Sequence, residues 1–270
     1  MEKIKQKVAN SFWENMAKNY PRYDDPAMSS DVNHVLNWAL SKGVAFEKKT
    51  VLDVGCGTGT VSIPLALKGA FITAVDLSTT MLSSLEEDAK KLNLQHAIQA
   101  YQMSWEDFEL QGSYDMVVAS MTPAISSKAS IDKILEATRE NGIYVGWGKY
   151  KNNLFLDALF LAHEYDKTPS GSCIKTKEFI EYLEEKGMHW ECDYFETSWR
   201  DIYTKEEAIE YAKEQLQWKD IKPQIRLIED VVSQFTFDGK VVIETKAEKG
   251  VVFFRKNKEA NSYGRYPKCF

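Results

Sequence analysis

The sequence predicts an α/β protein built on a doubly wound, mostly parallel sheet. Three observations support this fold class. Residues 50–76 contain a buried apolar run, a glycine-rich turn, a helical segment and a second apolar run that ends in an acid. Strand-like and helix-like segments then alternate as far as residue 147, which is the pattern of successive βαβ units. A chain of 270 residues is also long enough to bury a substantial core.

A glycine-rich turn follows the first predicted strand, residues 51–54. Its glycines are Gly55, Gly57 and Gly59. They permit positive φ and remove side chains that would keep a ligand away from the backbone. Their spacing is G-x-G-x-G, which differs from the G-x-G-x-x-G of dinucleotide sites. Because Asp76 ends the next predicted strand, and open α/β sheets bind ligands at the carboxyl ends of their strands, we expect a binding site here.

The remaining elements follow in order from apolar periodicity and capping residues. Helices are predicted over residues 3–19, 32–40, 60–68, 79–94 (with Ser78 as N-cap), 131–139, 153–165, 177–186, 205–218 and 224–235. Strands are predicted over residues 51–54, 71–76, 97–102, 115–119, 143–147, 189–197, 237–245 and 250–256. Turns are expected at Asn141-Gly142 and at residues 248–250, and a loop at residues 168–172.

Composition narrows the class of protein. Apolar residues make up 44% and charged residues 27% of the chain, and the net charge is −6. An acidic balance counts against a nucleic-acid partner. The sequence contains no long uncharged apolar stretch, so we expect neither a membrane span nor a signal peptide. Its four cysteines show no paired spacing, from which we expect reduced thiols, a cytoplasmic location and no metal site.

Two stretches carry a resemblance to a known family. The string V-L-D-V-G-C-G-T-G at residues 51–59, followed by Asp76, closely resembles the first motif of class I S-adenosylmethionine-dependent methyltransferases. Residues 13–20 follow the pattern W-x-x-x-A-x-x-Y, which is common ahead of this turn in small-molecule methyltransferases. The resemblance covers residues 12–149 well and the later part in outline. It implies a Rossmann-like, seven-stranded sheet with an antiparallel final hairpin and helical cap elements.

The resemblance also implies a cofactor, S-adenosylmethionine, with S-adenosylhomocysteine as product. Amides of the glycine turn would meet its methionine part, Asp76 would accept hydrogen bonds from its ribose hydroxyls, and the residues after Asp76 would border its adenine. The residues placed at the cofactor in this way are Tyr20, Gly55, Cys56, Gly57, Asp76, Leu77, Met81, Ser104, Trp105, Glu106, Ser120 and Met121.

Alternatives stay open for three of these residues. Ser104 is the first choice for the adenine amino group, and Glu106 is the charged alternative. Trp105 either lies against the adenine ring or fills the interface between a helix and the sheet. Tyr20 either closes over the methionine end of the cofactor or only packs its helix on the domain. A metal ion is not predicted, because no cluster of residues has the spacing of zinc ligands.

The methyl acceptor is expected to be a small molecule. Met121-Thr122-Pro123-Ala124 stands where many amino-group methyltransferases that act on nucleic acid or protein carry N-P-P-Y. Thr122 and His163 are the candidate acceptor contacts, and no residue is identified as a general base. The alternatives are methylation of RNA or protein, a non-catalytic cofactor-binding module, and a nicotinamide enzyme.

The predicted domain organisation has three parts. Residues 1–48 form N-terminal cap helices, and residues 49–256 form the methyltransferase core. A helical insertion at about residues 205–235 is expected to cover the mouth of the site. Residues 257–270 form a polar tail.

Overall fold

Helices and strands alternate through the parts of the chain that the computed structural model describes, residues 11–165 and 174–256. The strands are β1 (Thr50–Val54), β2 (Phe71–Asp76), β3 (Ile98–Gln102), β4 (Tyr114–Ser120), β5 (Thr138–Asn152), β6 (His189–Tyr203), β7 (Thr236–Phe237) and β8 (Lys240–Arg255). The helices are α1 (residues 11–16, followed by a 3-10 turn at Ala17–Asn19), α2 (Pro26–Ser41), α3 (Ser62–Leu67), α4 (Thr79–Lys91), α5 (Lys128–Ala137), α6 (Leu154–Ala162), α7 (Thr176–Glu185), α8 (Lys205–Trp218) and α9 (Ile225–Gln234).

The sheet reverses its strand order next to β1. The order is β3-β2-β1-β4-β5-β8-β6, and β7 pairs antiparallel with β8. The first five strands are parallel, with Val54 opposite Val75 and Asp53 opposite Val118. Such a reversal opens a crevice at the carboxyl ends of β1 and β4. The predicted fold class, a Rossmann-like, mostly parallel sheet with antiparallel C-terminal strands, is confirmed.

Helices cover both faces of this sheet. Successive residues of a strand point to opposite faces, so Val51 joins the core beneath α2, α3 and α4, while Leu52 joins the core beneath α5 and α7. Met116 and Val117 on β4 divide in the same way. This explains why β1 and β4, at the centre of the parallel part, carry largely apolar residues: both of their faces are buried.

The chain divides into two compact units. The described residues of the first unit fall within Met1–Gly148, Ser172–Phe195 and Lys249–Phe270, and those of the second within Lys149–Gly171 and Glu196–Glu248. In the second unit, α6, α8 and α9 pack around a core that includes Phe155, Leu216 and Val232. The helical insertion predicted at residues 205–235 lies in this unit. Its role as a cover, and the predicted domain boundaries, stay predictions.

Helix α2 begins earlier than predicted. The prediction placed its start at residue 32, where apolar periodicity becomes clear. In the structure the Asp25 carboxylate accepts a hydrogen bond from the Met28 amide at 3.0 Å, and Pro26 occupies the first turn. An Asp N-cap followed by proline is a strong start signal, so the capping residues set the boundary here.

Both turns predicted around Gly142 and Gly250 are wrong. Gly142 lies within β5 opposite Val117, and Gly250 lies within the continuous strand β8. The hairpin turn is instead at Asp238-Gly239, with φ of 47° and 73°, which suits a two-residue hairpin. A Cβ on Gly142 would lie 1.9 Å from the ring of Phe254, so this glycine serves close packing within the sheet.

The loop predicted at residues 168–172, the tail at residues 257–270 and the start of the first helix at residues 3–10 lie outside the described residues. Within residues 11–165 and 174–256, no helix is both long and apolar enough to cross a bilayer.

Candidate functional site

The glycine turn lies at the carboxyl end of β1. Gly55, Gly57 and Gly59 all have positive φ, at 66°, 55° and 83°, a region that other residues rarely adopt. A Cβ on Gly55 would lie 1.9 Å from the Thr122 hydroxyl oxygen. The turn therefore requires glycine both for its conformation and for its contact with the loop after β4.

The first amides of the turn donate within the protein. Those of Gly55 and Cys56 donate to the Val75 carbonyl at 2.8 and 3.1 Å, and the Gly57 amide donates to Asp76. The amides of these three residues thus each have a hydrogen-bond partner within the protein. The predicted contact of the turn and the following helix start with the methionine part stays a prediction. The Cys56 thiol is buried, and this burial raises its pKa well above the usual range.

Asp76 connects the turn to the start of α4. One carboxylate oxygen accepts from the Gly57 amide at 2.9 Å, and the other accepts from the Ser78 amide at 2.9 Å. Burial raises the pKa of Asp76, while these amide hydrogen bonds oppose that rise. A carboxylate has about four acceptor positions, so both oxygens can also accept from a ligand hydroxyl.

The residues that follow Asp76 pack beside the glycine turn, and Ser78 and Met81 are buried. Leu77 is half-buried, and the Ser78 hydroxyl caps α4 by accepting from the Met81 amide at 3.1 Å. The sulfur of Met81 approaches Gly57 and lies 3.9 Å from where a Cβ would be. The structure thus brings together the predicted residues Gly57, Asp76, Leu77 and Met81.

Tyr20 lies beside Asp76. Burial raises the pKa of Tyr20, and the negative charge of Asp76 raises it further. Trp13 contacts the Tyr20 ring edge-on, with 6.3 Å between ring centroids. Tyr20, which follows the 3-10 turn in an extended conformation, therefore lies between Trp13 and Asp76, and its contact with the cofactor stays a prediction.

Two polar contacts made by residues 14–21 were not predicted from the sequence, although the aromatic pattern of this segment was recognised. The Glu14 carboxylate accepts from the amides of Thr79 and Thr80, and the Thr58 hydroxyl donates to the Pro21 carbonyl at 2.6 Å. No local pattern marks Glu14 or Thr58, because their partners are 65 and 37 residues away.

The three residues after β3 have different surroundings. The Ser104 hydroxyl donates to the Asp107 carboxylate at 2.7 Å and accepts from the Asp107 amide, so it caps this turn. The indole of Trp105 is only 3% exposed and donates to the Ser130 carbonyl on α5. This favours its alternative role, as a filler of the interface between a helix and the sheet. Glu106 is exposed, and its main-chain carbonyl accepts from Lys133.

The loop after β4 packs against the glycine turn. Ser120 ends β4 opposite Val145, and Met121, with φ of 53°, donates its amide to the Val145 carbonyl at 2.8 Å. Thr122 is buried, and its hydroxyl accepts from the Ala124 amide at 3.2 Å. Ser120 and Met121 are therefore close to the crevice, while the Thr122 side chain supports the turn; its contact with an acceptor stays a prediction.

His163 lies in the second unit, at the C-terminal end of α6. Its Nδ1 lies 2.8 Å from the Leu159 carbonyl, and its Nε2 accepts from the Gln224 amide at 3.2 Å. Both ring nitrogens are thus engaged by the backbone, which is a structural role for this histidine. An acceptor contact by His163 stays a prediction. No group of three or more His, Cys, Asp or Glu residues within residues 11–165 and 174–256 could hold a metal ion.

A buried carboxyl group lies beneath the turn. Asp53 is 1% exposed and accepts a hydrogen bond from the Ser62 hydroxyl at 2.6 Å. Burial raises its pKa from 3.8 to about 7, and the charge of Asp76 adds to this rise. The protonation state of this buried side chain is therefore expected to change with pH near neutrality, and with it the stability of the contact between β1 and α3.

Asp53→Asn is expected to remove one pH dependence of stability. Because the folded-state pKa lies above the unfolded-state value, the contribution of Asp53 is complete below about pH 4 and is lost as the pH rises through about 7. Asparagine does not titrate and still offers an acceptor to Ser62. Measured by urea unfolding, the free energy of unfolding of the variant relative to that of the unaltered chain should rise by about 2 kcal/mol between about pH 5.5 and 7.5. Parallel pH profiles of the two proteins would contradict this.

Comparison with known proteins identifies the part of the chain that contains this site. The methyltransferase domain family matches residues 51–142. A putative methyltransferase of Geobacillus is 29% identical over 172 residues, which are 60% of this chain and 66% of that protein. The magnesium protoporphyrin IX methyltransferase of Arabidopsis thaliana is 43% identical over 70 residues, 26% of this chain and 22% of that protein. The chain therefore spans less than two thirds of the length of these relatives.

A solved structure shares the fold over almost the whole chain. It is magnesium protoporphyrin IX methyltransferase from Synechocystis PCC 6803 with bound S-adenosylhomocysteine. The TM-score is 0.57 at 15% identity, and the match covers 95% of this chain and 100% of that one. At this identity the likeness concerns the fold.

Proposed function

We propose that this chain, whose residues 51–142 match the methyltransferase domain family, is a class I enzyme that transfers a methyl group from S-adenosylmethionine to a small molecule. One observation carries the proposal: the Asp76 carboxylate lies at the end of β2, bonded to the Gly57 amide of the glycine turn. That position suits an acceptor of ribose hydroxyls. The domain match and the fold shared with a methyltransferase that binds S-adenosylhomocysteine support it.

The chemistry asks little covalent help from the protein. Transfer from a sulfonium is an in-line displacement, in which a lone pair of the acceptor forms the new bond to carbon and the carbon–sulfur electrons stay on sulfur. Alignment of two bound reactants can contribute roughly 7–11 kcal/mol. In this proposal Asp76 fixes the ribose, Leu77 and Met81 border the adenine, and Tyr20 and Met121 flank the methionine end.

A small-molecule acceptor is supported by the names of some relatives, although others are named for a peptide or a tRNA acceptor, and by charge. The Arabidopsis relative is named for magnesium protoporphyrin IX, and an Acinetobacter baumannii relative, 30% identical over 121 residues, is named ubiquinone biosynthesis O-methyltransferase. The net charge of −6 disfavours a phosphate-rich polymer.

Isothermal titration tests the proposal. We expect both S-adenosylmethionine and S-adenosylhomocysteine to bind one site, each displacing the other, and NAD to leave that site unoccupied. Methyl transfer is then followed by screening small-molecule acceptors with a labelled methyl donor. A chain that binds neither sulfur compound would overturn the proposal, and displacement by NAD would identify a nicotinamide site instead.

A further inference from the structure

The N-terminal segment, residues 11–25, is attached to both sides of the crevice at Asp76. We infer that Glu14 is a positioning residue that holds this segment closed over the cofactor and so limits how fast the cofactor dissociates. The inference rests on the proposed function, because it concerns the same crevice. Three separate attachments support it.

The first attachment is Glu14 itself, at the start of α4. One carboxylate oxygen accepts from the Thr79 amide at 2.6 Å, and the other accepts from the amide of Thr80 at 3.2 Å and from its hydroxyl. A negative charge at a helix N-terminus is stabilising. Burial acts to raise the pKa of Glu14, but the hydrogen bonds from Thr80, Ser78 and Thr79 outweigh it and lower the pKa. Glu14 is therefore a carboxylate near neutral pH.

The second attachment is at the glycine turn. The buried Thr58 hydroxyl donates to the Pro21 carbonyl at 2.6 Å. The preceding residue, Tyr20, lies beside Asp76. Burial is the larger cause of the raised pKa of Tyr20, and the negative charge of Asp76 is the smaller one. Between Glu14 and Pro21 the chain thus runs from the start of α4 to the turn after β1, alongside the carboxylate proposed to hold the ribose.

The third attachment is farther along α4. The Arg22 guanidinium donates to the largely buried Asp88 carboxylate at 2.6 Å and to the Ser84 carbonyl at 3.0 Å. Arg22 and Thr58 hold the C-terminal part of the segment. Glu14 hydrogen-bonds α1 to the start of α4, so loss of Glu14 would weaken the attachment of the Trp13 end while the Pro21 end stays attached.

The test measures dissociation of labelled S-adenosylhomocysteine after an excess of unlabelled compound is added. In Glu14→Gln we expect dissociation to be about tenfold faster, the effect of weakening one charge-assisted hydrogen bond. Thr80→Val removes the partner hydroxyl while keeping the amide, and we expect a smaller increase. The double variant should show less than the product of the two effects, because both substitutions break the same contact.

Glu86→Gln is the matched control, because Glu86 is an exposed residue of α4, the helix that Glu14 contacts. The dissociation rate of this variant should equal that of the unaltered chain. If the unaltered chain binds no S-adenosylhomocysteine, the proposed function fails and the inference with it. If it binds, and both Glu14→Gln and Thr80→Val release the compound at the unaltered rate, the inference alone is overturned. Thermal unfolding checks that each variant is folded. If Glu14→Gln does not fold, the dissociation rate of Thr80→Val alone tests the inference.

Discussion

Replacement of Asp76 by alanine is expected to weaken S-adenosylmethionine binding by about 100-fold or more. We propose that the carboxylate accepts from both ribose hydroxyls, and a hydrogen bond to a charged group contributes about 1.5–3 kcal/mol. The loss of two such bonds therefore corresponds to at least about 100-fold in Kd. Alanine also releases the amides of Gly57 and Ser78, which the carboxylate holds at 2.9 Å each. Isothermal titration with S-adenosylhomocysteine measures the effect.

Asp115→Ala provides the matched control for Asp76→Ala. Asp115 is also a strand-end acid that accepts from the backbone, at the Thr50 amide, but it lies near the start of β4 and so at the opposite edge of the parallel sheet. We expect its substitution to lower the unfolding temperature and to leave Kd unchanged. A Kd for Asp76→Ala within about threefold of the unaltered value would contradict the ribose assignment.

The centre of the site could be predicted because it is local in sequence. The glycine turn, α3 and β2 occupy one continuous stretch, and Asp76 follows the turn by fewer than 25 residues in the printed sequence. Strand, turn and helix each carry a signal of their own there, and the βαβ connection fixes how they come together. The fold class was predicted from the same alternation of strand-like and helix-like segments.

Tertiary contacts account for what could not be predicted. Glu14 is one acid among 40 acidic residues in the chain, and only its approach to α4 distinguishes it. The indole of Trp105 offered two interpretations, which its surroundings on α5 separate. Burial of this kind depends on partners far away in sequence, which neither periodicity nor a motif describes.

Glycine is the residue whose local signal was least reliable. Gly55 and Gly239 both lie in turns, with φ of 66° and 73°. The turn at Gly55 was predicted, whereas the prediction for Gly239, as part of a strand over residues 237–245, was wrong. Gly142 and Gly250 lie within strands, where a Cβ would overlap Phe254 in one case and Thr176 in the other. A turn requires glycine for its positive φ, and a close contact requires it because it has no side chain. The sequence alone does not distinguish the two requirements.

Gly142→Ala is expected to destabilise the fold by about 3 kcal/mol. The new methyl group would lie 1.9 to 2.4 Å from three ring atoms of Phe254. Phe254 is fully buried and its ring also contacts Phe179, with 5.8 Å between centroids, so it has little space into which to move. Either β5 and β8 separate or the ring leaves its position. Urea denaturation of the variant measures the loss in free energy of unfolding.

A double variant distinguishes this packing role of Gly142 from a turn requirement. Phe254→Leu alone should cost stability, because it leaves a cavity in the core. Combined with Gly142→Ala, it makes room for the methyl group, so the double variant should be more stable than the sum of the two losses predicts by about 1–2 kcal/mol. If Gly142 were instead required for a turn conformation, the alanine would be strained whatever side chain lies opposite. The two losses would then add, and additivity would contradict the packing explanation for this glycine.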